Sequence, residues 1–177
     1  MLRSKDWWRE AVVYQIYPRS YADSSNDGIG DIPGIRTKVP YLKELGIDAV
    51  WLSPHYPSPM HDAGYDVANY RDVEPLFGKL ADIEGLIADL HSAGIKMLID
   101  VVPNHTSWDH PWFKEALAAA PADDPSVPAK ARYAEGPWAR YHLLRGQDGG
   151  KSEPNNWESC FTGPSWSQLI DADGKPT

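Results

Sequence analysis

With 177 residues, 42% of them hydrophobic and 24% charged, the chain has the composition of an ordinary globular domain. Twenty-five acidic against seventeen basic residues leave a net charge of −8, which works against non-specific binding to nucleic acid or to an anionic membrane and suits a neutral ligand such as a sugar. Cys160 is the sole cysteine, so an internal disulfide is excluded and a reducing compartment fits.

The first residues, Met1-Leu2-Arg3-Ser4-Lys5-Asp6, lack the apolar centre of a signal peptide. No apolar stretch is long enough to cross a membrane, so the expected location is cytoplasmic. Trp7 and Trp8 read as structural anchors. Residues 12–16 are mostly β-branched and apolar and predict a first strand. Ile35, Val39, Leu42 and Leu45 recur at helical spacing, and Gly46 stands where that helix should end. Residues 47–52 predict a second buried strand, stopped by Ser53-Pro54. Leu80, Ile83, Leu86, Ile87 and Leu90 make a second helical stripe closed by Gly94, and residues 95–102 predict a third strand. Strand and helix alternating with this punctuation indicate parallel βαβ units. After His105 the rhythm stops: residues 106–177 are rich in Pro, Gly, Asp and Trp, with one short helical candidate at 111–120 and an exposed segment expected at 116–128.

Three segments carry chemistry. In Asp23-Ser24-Ser25-Asn26-Asp27-Gly28-Ile29-Gly30-Asp31, oxygens stand at positions one, three, five and nine, with a backbone carbonyl at seven. This is the logic of a calcium loop. The candidate ligands are Asp23, Ser25, Asp27, the Ile29 carbonyl and Asp31. Position twelve is Gly34 and a strand precedes the loop, which rejects an EF-hand; a polar turn without metal is the alternative. His61-Asp62-Ala63-Gly64-Tyr65-Asp66 follows the second strand, and Gly64 allows a tight turn that aims Asp62 and Tyr65 at one pocket. An acidic group there accepts hydrogen bonds from sugar hydroxyls while an aromatic face packs on the ring. Asp100-Val101-Val102-Pro103-Asn104-His105 begins in an apolar strand and ends in polar side chains, the pattern of a site built at the carboxyl ends of barrel strands.

Together with Tyr14-Gln15-Ile16-Tyr17-Pro18-Arg19, these segments in this order resemble the alpha-amylase family of glycoside hydrolases (family 13), most closely its alpha-glucosidase and oligo-1,6-glucosidase branch. The resemblance runs over residues 7–166. It implies an α/β fold in which residues 1–105 form the first strands and helices of a (β/α)8 TIM barrel. Residues 106–177 then form the irregular domain inserted after the third barrel strand. A full barrel of this kind needs about 250 residues, so the barrel is expected to be incomplete here and its partner is the remainder of the enzyme chain.

For the site, the resemblance implies that Asp62 holds glucose hydroxyls and Tyr65 stacks beneath that ring. His105 hydrogen-bonds the sugar at the point of cleavage. Asp100 is a supporting residue that orients an arginine beside the nucleophile, and Phe161 walls the pocket. Residues 23–31 bind a structural calcium, or in some members magnesium. The three catalytic carboxylates follow later barrel strands and have no counterpart among these residues, so the piece alone is expected to be inactive. The whole enzyme is expected to release glucose, with retention, from the non-reducing end of small α-glucosides. Trehalose synthase, sucrose isomerase and amylosucrase share the opening motifs and stand as the alternative, with a non-catalytic barrel relative behind them.

Overall fold

The computed structural model describes residues 5–119, 136–144, 146–149 and 151–169. Three short strands, β1 (Val13–Ile16), β2 (Ala49–Leu52) and β3 (Lys96–Ile99), form one sheet in the order β1-β2-β3. Both pairings are parallel, with Tyr14 beside Val50 and Val50 beside Met97. Parallel neighbours require crossovers. The first crossover carries α1 (Pro18–Tyr21), α2 (Ile32–Thr37) and α3 (Val39–Leu45), and the second carries α4 (Leu80–Ser92).

Alternation along the strands sorts the side chains onto two faces. Ile16, Val50 and Leu52 are fully buried in one cluster with Ile35, Leu42, Leu86 and Leu90 from the helices, and Tyr14 and Met97 pack against it. The opposite face carries Val13, Trp51 and Leu98; Val13 and Leu98 stay 44% and 41% exposed. Asp31 starts α2 as its N-cap, accepting the Gly34 amide at 2.6 Å. Arg36 of α2 pairs with Asp89 of α4 at 2.7 Å. Gly46 ends α3 at a φ of 78°, in the left-handed region that glycine enters without a Cβ penalty.

The sequence stripe from Ile35 to Leu45 predicts one helix, and the structure has two that meet at Lys38. Pro40 explains the break, since it has no N–H to donate to the turn before it. The third strand is shorter than its apolar run: the last ladder bond comes from the Asp100 amide to the Leu52 carbonyl at 3.3 Å, and the chain then leaves the sheet.

The chain divides into two compact units, Met1–Pro111 and Trp112–Thr177. The sequence boundary after residue 105 therefore shifts, because residues 106–110 fold with the first unit. The Ser107 amide donates to the Val67 carbonyl at 2.8 Å, and the buried His110 ring lies 5.7 Å from that of Tyr70. α5 (Pro111–Ala118) occupies the place of the predicted helix at 111–120. In the second unit Arg140 pairs with Glu115 at 3.1 Å and lies over the Trp112 ring. Trp157 and Trp166 stack with centroids 5.8 Å apart, and the Trp166 indole donates to Asn155 at 2.8 Å. Of the segment expected to be exposed at 116–128, residues from 120 onward lie outside the described residues. Among the described residues no helix is long and apolar enough to cross a membrane.

Candidate functional site

The site is built where β2 and β3 end. Asp100 follows the last residue of β3, and its carboxylate is held from two sides. The Trp51 indole of β2 donates to Oδ1 at 2.9 Å, and the Tyr65 phenol donates to Oδ2 at 2.9 Å. The Tyr56 hydroxyl donates to the Asp100 carbonyl at 2.9 Å. Tyr65 is kept firmly protonated: burial raises its pKa first, and the Asp100 hydrogen bond with the negative charges of Asp100 and Asp62 raises it further. Burial and the Asp100 charge raise Tyr56 in the same way.

The loop presenting Asp62 and Tyr65 is fastened by a residue that sequence reading did not single out. Asp66 accepts the Ser58 hydroxyl at 2.7 Å and the Asp62 amide at 3.2 Å on one oxygen, and the His61 amide at 2.9 Å on the other. Burial alone would raise its pKa; the Ser58 hydroxyl and the loop amides overcome that and hold the carboxyl below the ordinary value. The Tyr65 amide closes the turn on the Asp62 carbonyl at 2.9 Å. Gly64 has a φ of 102°, and a Cβ there would stand 3.2 Å from the Pro54 carbonyl, so the turn needs glycine twice over. Asp62 itself is exposed. The signal for Asp66 in the sequence was its place at the end of the Gly-Tyr-Asp run, but nothing in a sequence says which donors will converge on it.

His105 lies 3.1 Å by Nε2 from the Tyr65 carbonyl and 3.3 Å by Nδ1 from the Asn104 amide nitrogen. A carbonyl only accepts, so the proton sits on Nε2 and Nδ1 takes the Asn104 N–H. Both ring nitrogens are thus engaged within the chain, and a sugar hydroxyl must displace one of these contacts. Tyr70 anchors the segment by sharing its one hydroxyl proton between the carbonyls of Val102 and His105, at 2.7 and 2.8 Å. Asp62, Tyr65, Asp100 and His105 therefore share one unit, with Trp51, Asp100, Tyr65 and His105 joined in a continuous chain of hydrogen bonds. Phe161 belongs to the second unit, where it is 82% exposed and its amide donates to Ser159 Oγ at 3.2 Å.

His55, also unsuspected from sequence, is 5% exposed and stacked on Tyr56 at 4.5 Å. Its Nδ1 is buried without a hydrogen-bond partner, and burial pushes its pKa down to about 4. The ring is neutral at pH 7.

The candidate metal loop is closed by its own backbone. Asp23 accepts the amides of Ser25, Asn26 and Gly28 at 2.7 to 2.9 Å. The Gly28 amide is the largest influence lowering its pKa. Asp27 accepts the Ile29 amide at 2.8 Å. Asp31 is 7% exposed, caps α2 and takes both the amide and the hydroxyl of Ser24. The donors are the hard oxygens that calcium takes. Among the described residues, however, no three acidic, histidine or cysteine side chains gather at one point fit to hold a metal. In this arrangement Asp23 and Asp27 close the turn and Asp31 caps α2.

Residues 15–172 match the alpha amylase catalytic domain family. The chain is 50% identical over 160 residues to the oligo-1,6-glucosidase of Parageobacillus thermoglucosidasius, covering 90% of this chain and 26% of that protein. It is 46% identical over 162 residues to a probable alpha-glucosidase of Rhizobium meliloti (strain 1021), covering 92% and 27%. Among solved structures, the trehalulose synthase MutB from Pseudomonas mesoacidophila MX-45 superposes with a TM-score of 0.79 at 42% identity, covering 94% of this chain and 27% of that one. The alpha-glucosyl transfer enzyme XgtA gives 0.77 at 44% identity, covering 92% and 28%. The chain thus spans about a quarter of the length of these relatives, and its three parallel strands are part of a barrel and not a closed one. A match over most of its length, with this strand order and this cluster at the strand ends, makes the chain a member of the alpha-amylase catalytic-domain family.

Proposed function

We propose that the protein carrying this chain is an α-glucosidase-type glycoside hydrolase that releases glucose, with retention, from the non-reducing end of small α-glucosides. The observation that carries the reading is the chain of hydrogen bonds Trp51–Asp100–Tyr65–His105 at the ends of β2 and β3, with exposed Asp62 on the same loop as Tyr65. Relatives named oligo-1,6-glucosidase and alpha-glucosidase support it. In this reading Asp62 accepts glucose hydroxyls, the Tyr65 ring packs against the sugar and His105 hydrogen-bonds it.

Retaining hydrolysis needs two carboxyl groups about 5–5.5 Å apart, one nucleophile and one acid/base. Asp100 is read as a supporting residue, its two oxygens accepting from Trp51 and Tyr65. The residues here bind and orient substrate; by the family pattern, the reacting carboxylates follow later strands of the same barrel. The neutral substrate, the net charge of −8 and the absence of a membrane-length helix among the described residues suit action on free sugars in the cytoplasm. A second reading, transfer or isomerisation of glucosyl groups, is favoured by the likeness to MutB and XgtA. Incubating the full-length protein with maltose, isomaltose, sucrose and trehalose separates the two. Free glucose as the main product supports hydrolysis, and a new disaccharide supports transfer. No turnover of any of them removes the enzymatic reading.

We further propose that the loop formed by Asp23, Ser25, Asp27, Ile29 and Asp31 takes a calcium ion that serves stability and not chemistry. Three carboxylates in one short loop repel one another without a cation, and Asp27 has only one of its contacts supplied by the Ile29 amide. Calcium should raise the melting temperature of the full-length protein, and Asp27→Ala should abolish that rise. No ion in the loop by anomalous scattering at millimolar calcium would leave backbone closure as its whole role.

A further inference from the structure

Trp51 is a strand residue whose side chain meets the candidate site. It projects from the middle of β2 on the face turned away from the helices, beside Leu98 in register, and its Nε1 meets the Asp100 carboxylate. An indole N–H donates and never accepts. It therefore fixes one orientation of the carboxylate, whose terminal torsion is otherwise broad and roughly two-fold. We propose that Trp51 is a positioning residue of the sugar site: by occupying Oδ1 of Asp100 it leaves Oδ2 to hold the Tyr65 phenol, and through the Tyr65 carbonyl it sets the ring of His105.

Each link is a contact within the first unit. Asp100 Oδ2 takes the Tyr65 hydroxyl at 2.9 Å, and the Tyr65 carbonyl meets His105 Nε2 at 3.1 Å. The relay joins the middle of β2, the loop after β2 and the segment after β3, so no single local turn can maintain it. Tyr65 is suited to the middle place because its raised pKa keeps the donor proton on oxygen. If Trp51 is lost, the carboxylate is free to rotate, Tyr65 is no longer tied at its outer end, and the loop bearing Asp62 shares that freedom. Tyr65 and His105 hold the sugar before and during reaction alike, so the damage belongs in substrate binding more than in turnover.

The inference rests on the α-glucosidase reading, and the test separates their failures. In the full-length protein, kinetics on maltose or isomaltose are measured for the wild type, Trp51→Phe, Tyr65→Phe and the double variant. Phenylalanine keeps an aromatic ring at position 51 and removes the donor together with part of the indole's volume. Benzothienylalanine at position 51, which loses only the N–H, is therefore measured beside it and must give the same pattern. The expected result is a KM raised by about tenfold or more with kcat largely kept, and a double variant no worse than the poorer single one, since both act on one carboxylate. Additive effects, an unchanged KM, or a fall confined to kcat would overturn the positioning role while leaving the glucosidase reading intact. A wild type without turnover would overturn that reading first. If Trp51→Phe does not fold, the benzothienylalanine protein, with sulfur for the N–H in the same shape, is judged alone by the same criteria.

Discussion

Asp66 is the fastening of the substrate loop, and its replacement gives graded consequences. Three donors converge on it: the Ser58 hydroxyl and the Asp62 amide on one oxygen, the His61 amide on the other. A hydrogen bond to a charged acceptor is worth about 1.5–3 kcal/mol. His61 and Asp62 are exposed, so water replaces much of what their amides lose. The half-buried bond from Ser58 is the one without such compensation. Asp66→Ala should therefore cost about 2 kcal/mol of loop stability. Asp66→Asn should cost about half as much, because its single oxygen can still serve Ser58 and Asp62 while its amide group faces the His61 N–H, donor against donor. In the full-length protein both variants should lower kcat/KM, alanine more than asparagine, by misplacing Asp62 and Tyr65. The carboxyl titrates below its ordinary value in the folded protein. Its contribution is therefore complete above the unfolded pKa near 3.9, and it drains away as pH falls toward the folded one. Hydrogen exchange at the amides of residues 61–65, together with steady-state kinetics, measures both effects. Wild-type exchange and wild-type kcat/KM in Asp66→Ala would refute the reasoning.

Three further outcomes are expected. Asp62→Ala and His105→Ala should each lower kcat/KM of the full-length protein at least about tenfold, equivalent to 1.4 kcal/mol, with melting temperatures near wild type because both residues are exposed; unchanged kinetics would remove their substrate role. Asp100→Ala should lose stability as well as activity, since the Trp51 indole and the Tyr65 hydroxyl lose their acceptor together; an unaltered melting curve would contradict this. His55 is neutral and buried with its pKa at about 4 against an ordinary 6.5, so the unfolded chain binds its proton first and stability should fall as pH drops from about 6.5 to about 4. His55→Phe should flatten that part of the melting temperature against pH profile, and an identical slope in the variant would show that His55 is not its source.

The sheet was legible because buried parallel strands are continuous apolar runs, and residues 49–52 and 97–99 are such runs. The break between α2 and α3 was legible in principle from Pro40, yet the apolar stripe from Ile35 to Leu45 runs through it unbroken. The candidate site was read from residue types: Asp62, Tyr65, Asp100 and His105 were singled out in the sequence, and the structure places them in one unit with three of them directly linked. Trp51, Asp66 and His55 were not, for one shared reason. Trp51 and Asp66 matter through contacts to residues 49 and 8 positions away and His55 through its burial, and these depend on strand register and loop closure that no local pattern states. The loop at 23–31 shows the converse: the alternating oxygens were plain, while the amides that Asp23, Asp27 and Asp31 accept belong to the backbone and leave no trace in residue identity.

The bond from Trp51 to Asp100 ties recognition to strand alignment. Side chains change faces at every step along a strand, so sliding β2 against β3 by one residue would turn the indole toward the helices and strand the carboxylate without its donor. The apolar residues of β2 would tolerate the slide better, since Ala49, Val50 and Leu52 are all buried already. A misaligned chain could thus be compact, helical and quiet by bulk spectroscopy while unable to hold a sugar. Ligand affinity is then a sharper gauge of correct assembly than compactness, and purified batches that agree in melting behaviour but differ in active fraction would be separable by the environment of this one tryptophan.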